Sequence, residues 1–247
     1  MEPDRRPETL PFFSILPNMV TILGLCAGLT SIRFVLMGRF DIAAALLIFA
    51  AAIDGMDGLL ARRLNATTKM GGELDSLSDF MNFGVAPGIL VFQYALRQDF
   101  ATGWMFVLIY ACCACLRLAR FNVNRDDPAP VGRPHFTGVP APGGAMLALW
   151  PLFLGQAGFW DARELPFVYG LWLGVVGFLM VSRVPTISSK ALRVPREKSL
   201  YVLIGAAVVV GLMVTRFWLL ISGLTGVYAV LIAWAVVAHL RRGRRAR

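Results

Sequence analysis

Residues 41–64 read DIAAALLIFAAAIDGMDGLLARRL. The apolar run from Ile42 to Ile53 is too long for an ordinary strand. With its flanks it matches the roughly 20 residues that a helix needs to cross a bilayer. The run closes on Asp54 and Asp57, and Arg62 and Arg63 follow. This stretch therefore predicts a spanning helix with carboxylates built into one end.

The rest of the chain fits that reading. Of the 247 residues, 57% are hydrophobic and 16% charged, and mean hydropathy is +0.65. A soluble chain averages about 45–50% apolar and about 25% charged. The composition excludes a disordered chain and argues against a soluble domain. An all-α polytopic membrane protein remains. Eight spans are expected: Asn18–Leu36, Asp41–Leu64, Glu73–Leu96, Ala101–Phe121, Gly138–Ala157, Pro166–Val184, Leu200–Val214 and Phe217–Leu240. The seventh is short and Thr215-Arg216 is a tight break, so six spans with a terminal re-entrant pair is the alternative. Either way, a six-helix catalytic core carries two further segments. The first apolar run has no small-residue cleavage site and reads as a retained span rather than a signal peptide.

The net charge of +9 would suggest nucleic acid in a soluble protein. Here the Arg residues sit at the ends of apolar runs, which is membrane topology. With both termini in the cytoplasm, only Arg33, Arg39, Arg97, Arg163 and Arg216 face outward, and the other 19 of the 24 Lys and Arg face inward. The expected organisation is a cytoplasmic segment 1–16, one transmembrane catalytic domain 17–240 and a basic tail 241–247. Cys112, Cys113 and Cys115 share one apolar run, and Cys26 is alone. That is no disulfide framework or zinc spacing, and the thiols read as small packing groups. His135 and His239 are far apart in sequence and form no ligand pair.

Acids inside spans are costly and by default functional. Four fall within one segment: Asp54, Asp57, Asp75 and Asp79. At about 100° per residue, Asp54 and Asp57 lie about 60° apart on one helix, and Asp75 and Asp79 about 40° apart on the next. The turn 65–72 is short, so the two helices are antiparallel neighbours and the two faces converge. Four bare carboxylates repel in a low-dielectric site. Divalent cations remove that conflict, and oxygen donors suit Mg²⁺, Mn²⁺ or Ca²⁺. Paired cations held by shared carboxylates can grip a phosphoryl group. Gly58 and Ala61, on the face of Asp54, leave room for a flat group against the backbone, and Arg62 can pair with phosphate. Gly71-Gly72 opens the next helix, where unpaired N–H groups meet anions. Arg117 and Arg120 lie about 60° apart near the inner end of span four, followed by Asn122 and Arg133. These cations are candidates for an acceptor carboxylate or a phosphate. A divalent-cation transporter is a competing class, although such proteins place acids nearer the midplane, often with repeats.

The pattern Asp54-x2-Asp57-Gly58-x2-Ala61-Arg62-x8-Gly71-x3-Asp75-x3-Asp79 resembles the signature of the CDP-alcohol phosphatidyltransferase family at every position. Leu16-Pro17-Asn18, Glu73-Leu74-Asp75-Ser76-Leu77, Phe83-Gly84-Val85-Ala86-Pro87, Arg117 to Asn122, Phe136 to Pro142 and Val181 to Thr186 are similar to its branch of bacterial membrane phosphatidylserine synthases. The resemblance implies transfer of a phosphatidyl group from CDP-diacylglycerol to L-serine, releasing CMP. It implies that Asp54, Asp57, Asp75 and Asp79 hold two divalent cations, Mg or Mn. Asp79 would also be the general base, and Gly58, Ala61, Arg62 and Gly71 would contact the CDP moiety. It further implies a homodimer in the bacterial inner membrane. Glycerol 3-phosphate, inositol phosphate and phosphatidylglycerol are the alternative acceptors.

Overall fold

The computed structural model describes residues 12–63, 68–123, 136–182, 185–186 and 199–245. Among them are eight helical rods. Helix α1 is Phe12–Leu36 and α2 is Phe40–Arg63. Rod α3 (69–96) is built from α-helix Lys69–Asp79, π-helix Phe80–Val85, α-helix Ala86–Val91 and π-helix Phe92–Leu96. Then come α4 Phe100–Val123, α5 Ala141–Gln156, α6 Pro166–Val181, α7 Ser199–Thr215 and α8 Phe217–Arg245. Beyond helix, the described residues contain one small antiparallel ladder, with Phe136 opposite Thr186 and Thr137 opposite Pro185.

Four of these helices are long and apolar enough to cross a membrane: Leu16–Leu36, Phe40–Leu59, Phe100–Val123 and Phe217–Ala238. Pro166–Val181 and Leu203–Thr215 are apolar but shorter. The start of α3 carries Lys69, Glu73, Asp75 and Asp79, which lowers its hydropathy. Large apolar side chains lie exposed around the bundle, including Leu29, Phe49, Leu108, Phe178 and Trp234. That much exposed hydrocarbon suits lipid rather than water.

The first hairpin shows how local chemistry sets the bundle. Helix α1 stops at a left-handed Gly38, φ 73°. The Gly38 N–H donates to Val35 O (3.0 Å) and the Arg39 N–H to Phe34 O (2.9 Å), which is a Schellman closure. Helix α2 then returns along α1 with Ala43, Ala44, Leu47 and Ala50 fully buried. The small residues allow close approach, and Ser31 Oγ donates to Ala43 O at 2.9 Å.

Rod α3 runs through the centre. Phe83, Ala86, Leu90 and Val91 are fully buried. Its first π segment opens the helical ladder just after Asp79, and the Tyr110 hydroxyl of α4 donates to the Phe83 carbonyl at 2.6 Å. A polar backbone group in an apolar bundle is thereby satisfied. Helix α4 in turn packs on α6, where a Cβ at Gly177 would sit only 3.2 Å from Tyr110 Cα. Cys113 packs at the same place, its Cβ 3.3 Å from that position, which is the packing role its sequence context suggests.

At the end of the bundle away from the acids, Asp161 caps the short 3-10 turn Ala162–Glu164 and accepts from the Arg163 side chain at 2.6 Å. Tyr94 Oη donates to Asp161 at 3.2 Å, and the Arg163 guanidinium lies over the Tyr94 ring. The Arg163 hydrogen bonds hold the Asp161 carboxyl down at about 2. A lowered folded value stabilises above the ordinary carboxylate range and is lost as pH falls through the folded value. An Asp161→Asn variant is therefore expected to melt below wild type at pH 6. That gap should narrow from about pH 4 to pH 2. Melting curves in detergent across this range check it, and a pH-independent gap contradicts it.

Candidate active site

Helices α2 and α3 bring the acids together. Carboxylate oxygens of Asp54, Asp57 and Asp75 lie within 4.8 Å of one another. Asp79, one turn beyond Asp75, places its carboxyl at hydrogen-bonding reach of Asp54. Asp57 is buried, and the other three are half-buried. A convergent set of hard oxygen donors at this spacing could hold a divalent cation.

Helix α1 supports the cluster from one side. Thr21 Oγ1 donates to Asp57 Oδ2 at 2.8 Å and also lies 3.1 Å from Pro17 O. Ser78 Oγ reaches Thr21 O at 3.5 Å, and Asn82 Nδ2 donates to Ser78 Oγ at 3.3 Å. Asn82 is 2% exposed, in a notch where Gly28 and Gly24 of α1 have no side chains to exclude it. The Gly24/Gly28 spacing thus serves a polar side chain. Thr21, Ser78 and Asn82 tie the acid-bearing rod to α1.

The other predicted residues fall as follows. A Cβ on Gly58 would meet open space, so the backbone of α2 is uncovered there. Gly71 lies in the first turn of α3, where its N–H donates to the capping Thr68 Oγ1 at 3.0 Å. A Cβ there would come 2.6 Å from Asn18 Oδ1. Ala61 and Arg62 lie in the last turns of α2, and their side chains are outside the described residues, as is Arg133.

Arg117 projects from α4 toward the segment entering α5, and Arg120 toward the end of α6. Arg117 Nε donates to Val139 O at 2.7 Å, while its charge faces Asp79 and Asp54. Arg120 Nη2 donates to Val181 O at 2.8 Å, closing the end of α6. Gly138 lies between these anchors at φ 84°, where a Cβ would sit 2.7 Å from both Met180 O and Ser182 O. Asn122 Nδ2 donates to Ser76 Oγ at 2.9 Å, tying α4 to α3 between Asp75 and Asp79. Among the candidate acceptor-binding side chains, Arg117 has its charge toward the acids.

Thr21, Ser78 and Asn82 were not among the candidates read from sequence. Their signal was available as hydroxyl and amide groups inside apolar spans, but each has a common local role in capping or back-bonding to its own helix.

A model of the CDP-alcohol phosphatidyltransferase family matches residues 14–181. The chain belongs to that family. A CDP-diacylglycerol–serine O-phosphatidyltransferase of Mycobacterium leprae is 42% identical over 187 residues, covering 73% of this chain and 61% of that protein. The protein of the same name from Mycobacterium tuberculosis is 37% identical over 227 residues, covering 90% of this chain and 78% of its own length. An archaetidylserine synthase of Methanothermobacter thermautotrophicus is 35% identical over 132 residues, 53% of this chain and 54% of that protein. The family match takes in all four acids, and with four long apolar helices the chain is an integral membrane protein.

The Thr21 bond orients Asp57, so its loss is expected to weaken cation binding without removing a carboxylate. Thr21→Val should raise the Mn²⁺ concentration for half-maximal thermal stabilisation about 10-fold. Asp57→Ala should abolish that stabilisation. Unaltered Mn²⁺ dependence in Thr21→Val would show that the hydroxyl has no part in holding the site.

Proposed function

We propose that this membrane enzyme transfers the phosphatidyl group of CDP-diacylglycerol to the hydroxyl of L-serine, giving phosphatidylserine and CMP. The carrying observation is the convergence of Asp54, Asp57, Asp75 and Asp79 inside a family match that covers all four. The names of the mycobacterial relatives support serine as acceptor and diacylglycerol as the lipid of the donor. The archaeal relative's name also carries serine, with a different lipid.

In this reading Asp54, Asp57, Asp75 and Asp79 hold two divalent cations, Mg or Mn. Cations held there would supply positive charge to neutralise the donor pyrophosphate and stabilise the departing CMP. The chain's own groups do the rest. Open backbone at Gly58, with Ala61 beside it, gives the cytidine moiety a surface without side chains. Arg62 and the first turn of α3 at Gly71 meet its phosphates. Asp79 takes the proton from the serine hydroxyl as that oxygen attacks the phosphatidyl phosphorus. The bond from that phosphorus to the CMP oxygen breaks, and CMP carries away the negative charge. An alcohol is a poor nucleophile at neutral pH, so a base in reach is required. Arg117 neutralises the acceptor's carboxylate beside Asp79.

The distribution of Lys and Arg supports an active site at the cytoplasmic face of a bacterial inner membrane, with both termini inside. The donor's tails then stay in lipid while serine and CMP exchange with cytosol. All eight rods would span or nearly span the bilayer as one catalytic domain, 17–240, between a short cytoplasmic segment and a basic tail. Family resemblance supports a homodimer.

The deciding experiment is CMP release from CDP-diacylglycerol in detergent, with and without Mn²⁺ or Mg²⁺. The acceptors to compare are serine, glycerol 3-phosphate, inositol phosphate and phosphatidylglycerol. Metal-dependent release with serine alone is expected. Release with another acceptor and none with serine would keep the four-acid chemistry and discard serine. Asp79→Asn is expected to lower release by at least about 1,000-fold, in the range for losing a general base together with a ligand, while Mn²⁺ still raises the melting temperature. Wild-type rates in that variant would remove Asp79 from the role of base.

A further inference from the structure

Helix α8 lies beyond the family match, yet it places a polar side chain within electrostatic reach of Arg117. It is held on α5 by three contacts. Trp218 stacks on Phe153, with ring centroids 6.0 Å apart. Trp150 Nε1 donates to Ser222 O at 3.0 Å, and a Cβ on Gly226 would lie 3.2 Å from the Trp150 ring. These contacts fix which face of α8 turns inward. Along that face Ser222, Thr225 and Ile232 are buried, and Tyr228 lies between them.

The Tyr228 ring lies across the first turn of α5. A Cβ on Gly143 would fall 2.6 Å from Tyr228 Oη and 3.0 Å from its Cζ, so the ring occupies space that only glycine leaves open. The hydroxyl is buried, with no hydrogen-bond partner among the described residues. A buried hydroxyl without a partner is unfavourable, so its presence calls for a partner. Arg117 is within electrostatic reach of it and also faces Asp79 and Asp54. Arg117 is already fixed from the other side by its bond to Val139 O, one residue before the Pro140 cap of α5. That cap supplies no side-chain acceptor for the first turn.

A hydroxyl donor and a helix start whose cap residue offers no side-chain acceptor therefore lie together, and the Arg117 guanidinium, bonded at the same end of α5, turns its charge toward Asp79 and Asp54. None can accept a proton from another as well as an anion can accept from all three. We propose that Tyr228 is a specificity-determining residue that donates its hydroxyl to the acceptor's carboxylate, which Arg117 neutralises. The last helix thereby completes the acceptor site. This assignment rests on the reading that the acceptor is an amino acid.

Tyr228→Phe keeps the ring and its packing and removes the donor. With the full chain in detergent and saturating CDP-diacylglycerol, the KM for serine should rise about 10-fold, as for loss of one hydrogen bond to a charged group. Maximal CMP release and the KM for CDP-diacylglycerol should stay within about 2-fold of wild type, because neither involves the hydroxyl in this scheme. L-Serinamide, which lacks the carboxylate, should be a poorer acceptor for wild type and lose little more in the variant. Gly143→Ala should repeat the effect on serine by displacing the ring while keeping its hydroxyl. An unchanged serine KM in Tyr228→Phe overturns the assignment, as does an equal penalty on serine and serinamide. Absence of serine-dependent CMP release in wild type would instead remove the amino-acid reading itself, and this assignment with it.

Discussion

Four carboxylates must share one small volume at the end of an apolar bundle, and much of the surrounding structure serves that requirement. Isolated charges in a low-dielectric setting cost several kcal/mol each even after relaxation. Like charges add their mutual repulsion. The protein answers on two levels. Arg117 on α4 faces Asp79 and Asp54 from across the bundle. The donor set itself, all hard oxygen within 4.8 Å for three of its members, invites divalent cations. Helix–helix packing then has to hold the acids at ligand spacing against their own repulsion. The Thr21 bond to Asp57 and the Ser78–Thr21 contact do this from α1. The Asn122 bond to Ser76 does it from α4.

The same requirement gives a reason for the π segment that follows Asp79. An uninterrupted α-helix would put Asp75, Asp79, Phe83, Ala86 and Leu90 within about 80° of one another on a single face. The wider turns at Phe80–Val85 shift that phase. Asp75 and Asp79 can then face α2 while Phe83, Ala86 and Leu90 remain buried in the centre. The cost is a disturbed backbone ladder, and the Tyr110 hydroxyl offsets it by bonding the Phe83 carbonyl. Tyr110 in turn depends on α4 lying close to α6, which Gly177 permits. A chain of contacts thus links the geometry of the acids to Gly177 on α6.

How much of this could be read from the sequence depends on whether the signal was periodic. The acids at i, i+3 and i, i+4 predicted two converging faces, because both pairs lie within regular α-helix: Asp54 and Asp57 in Phe40–Arg63, Asp75 and Asp79 in Lys69–Asp79. The rods also fall where the apolar runs do. What the sequence did not disclose was any bond joining elements distant along the chain. Arg120 read as a candidate anion ligand, and the structure has it bonding the carbonyls that end α6. Asn122 read likewise, and it bonds Ser76 across 46 residues. The π segments were invisible because residue counting assumes 3.6 per turn throughout. The notch left by Gly24 and Gly28 is filled by Asn82 from α3, a pairing that spacing along the chain does not disclose.

Arg117 shows why a charge in such a site is seldom explained by one role. Its Nε bond to Val139 O ties α4 to the chain entering α5, and its charge balances the acids of α2 and α3. A lysine would supply the charge, but as a compact point on a flexible stem it would not present a planar fork of donors. The fork lets one side chain brace a backbone carbonyl and still offer N–H groups elsewhere. Val139 adjoins the start of α5, so Arg117 is anchored at that helix start. Helix α8 packs at that start through Gly143, and farther along α5 through Trp150 and Phe153. One guanidinium therefore links the charge of the acid site to the helix start on which α8 also packs.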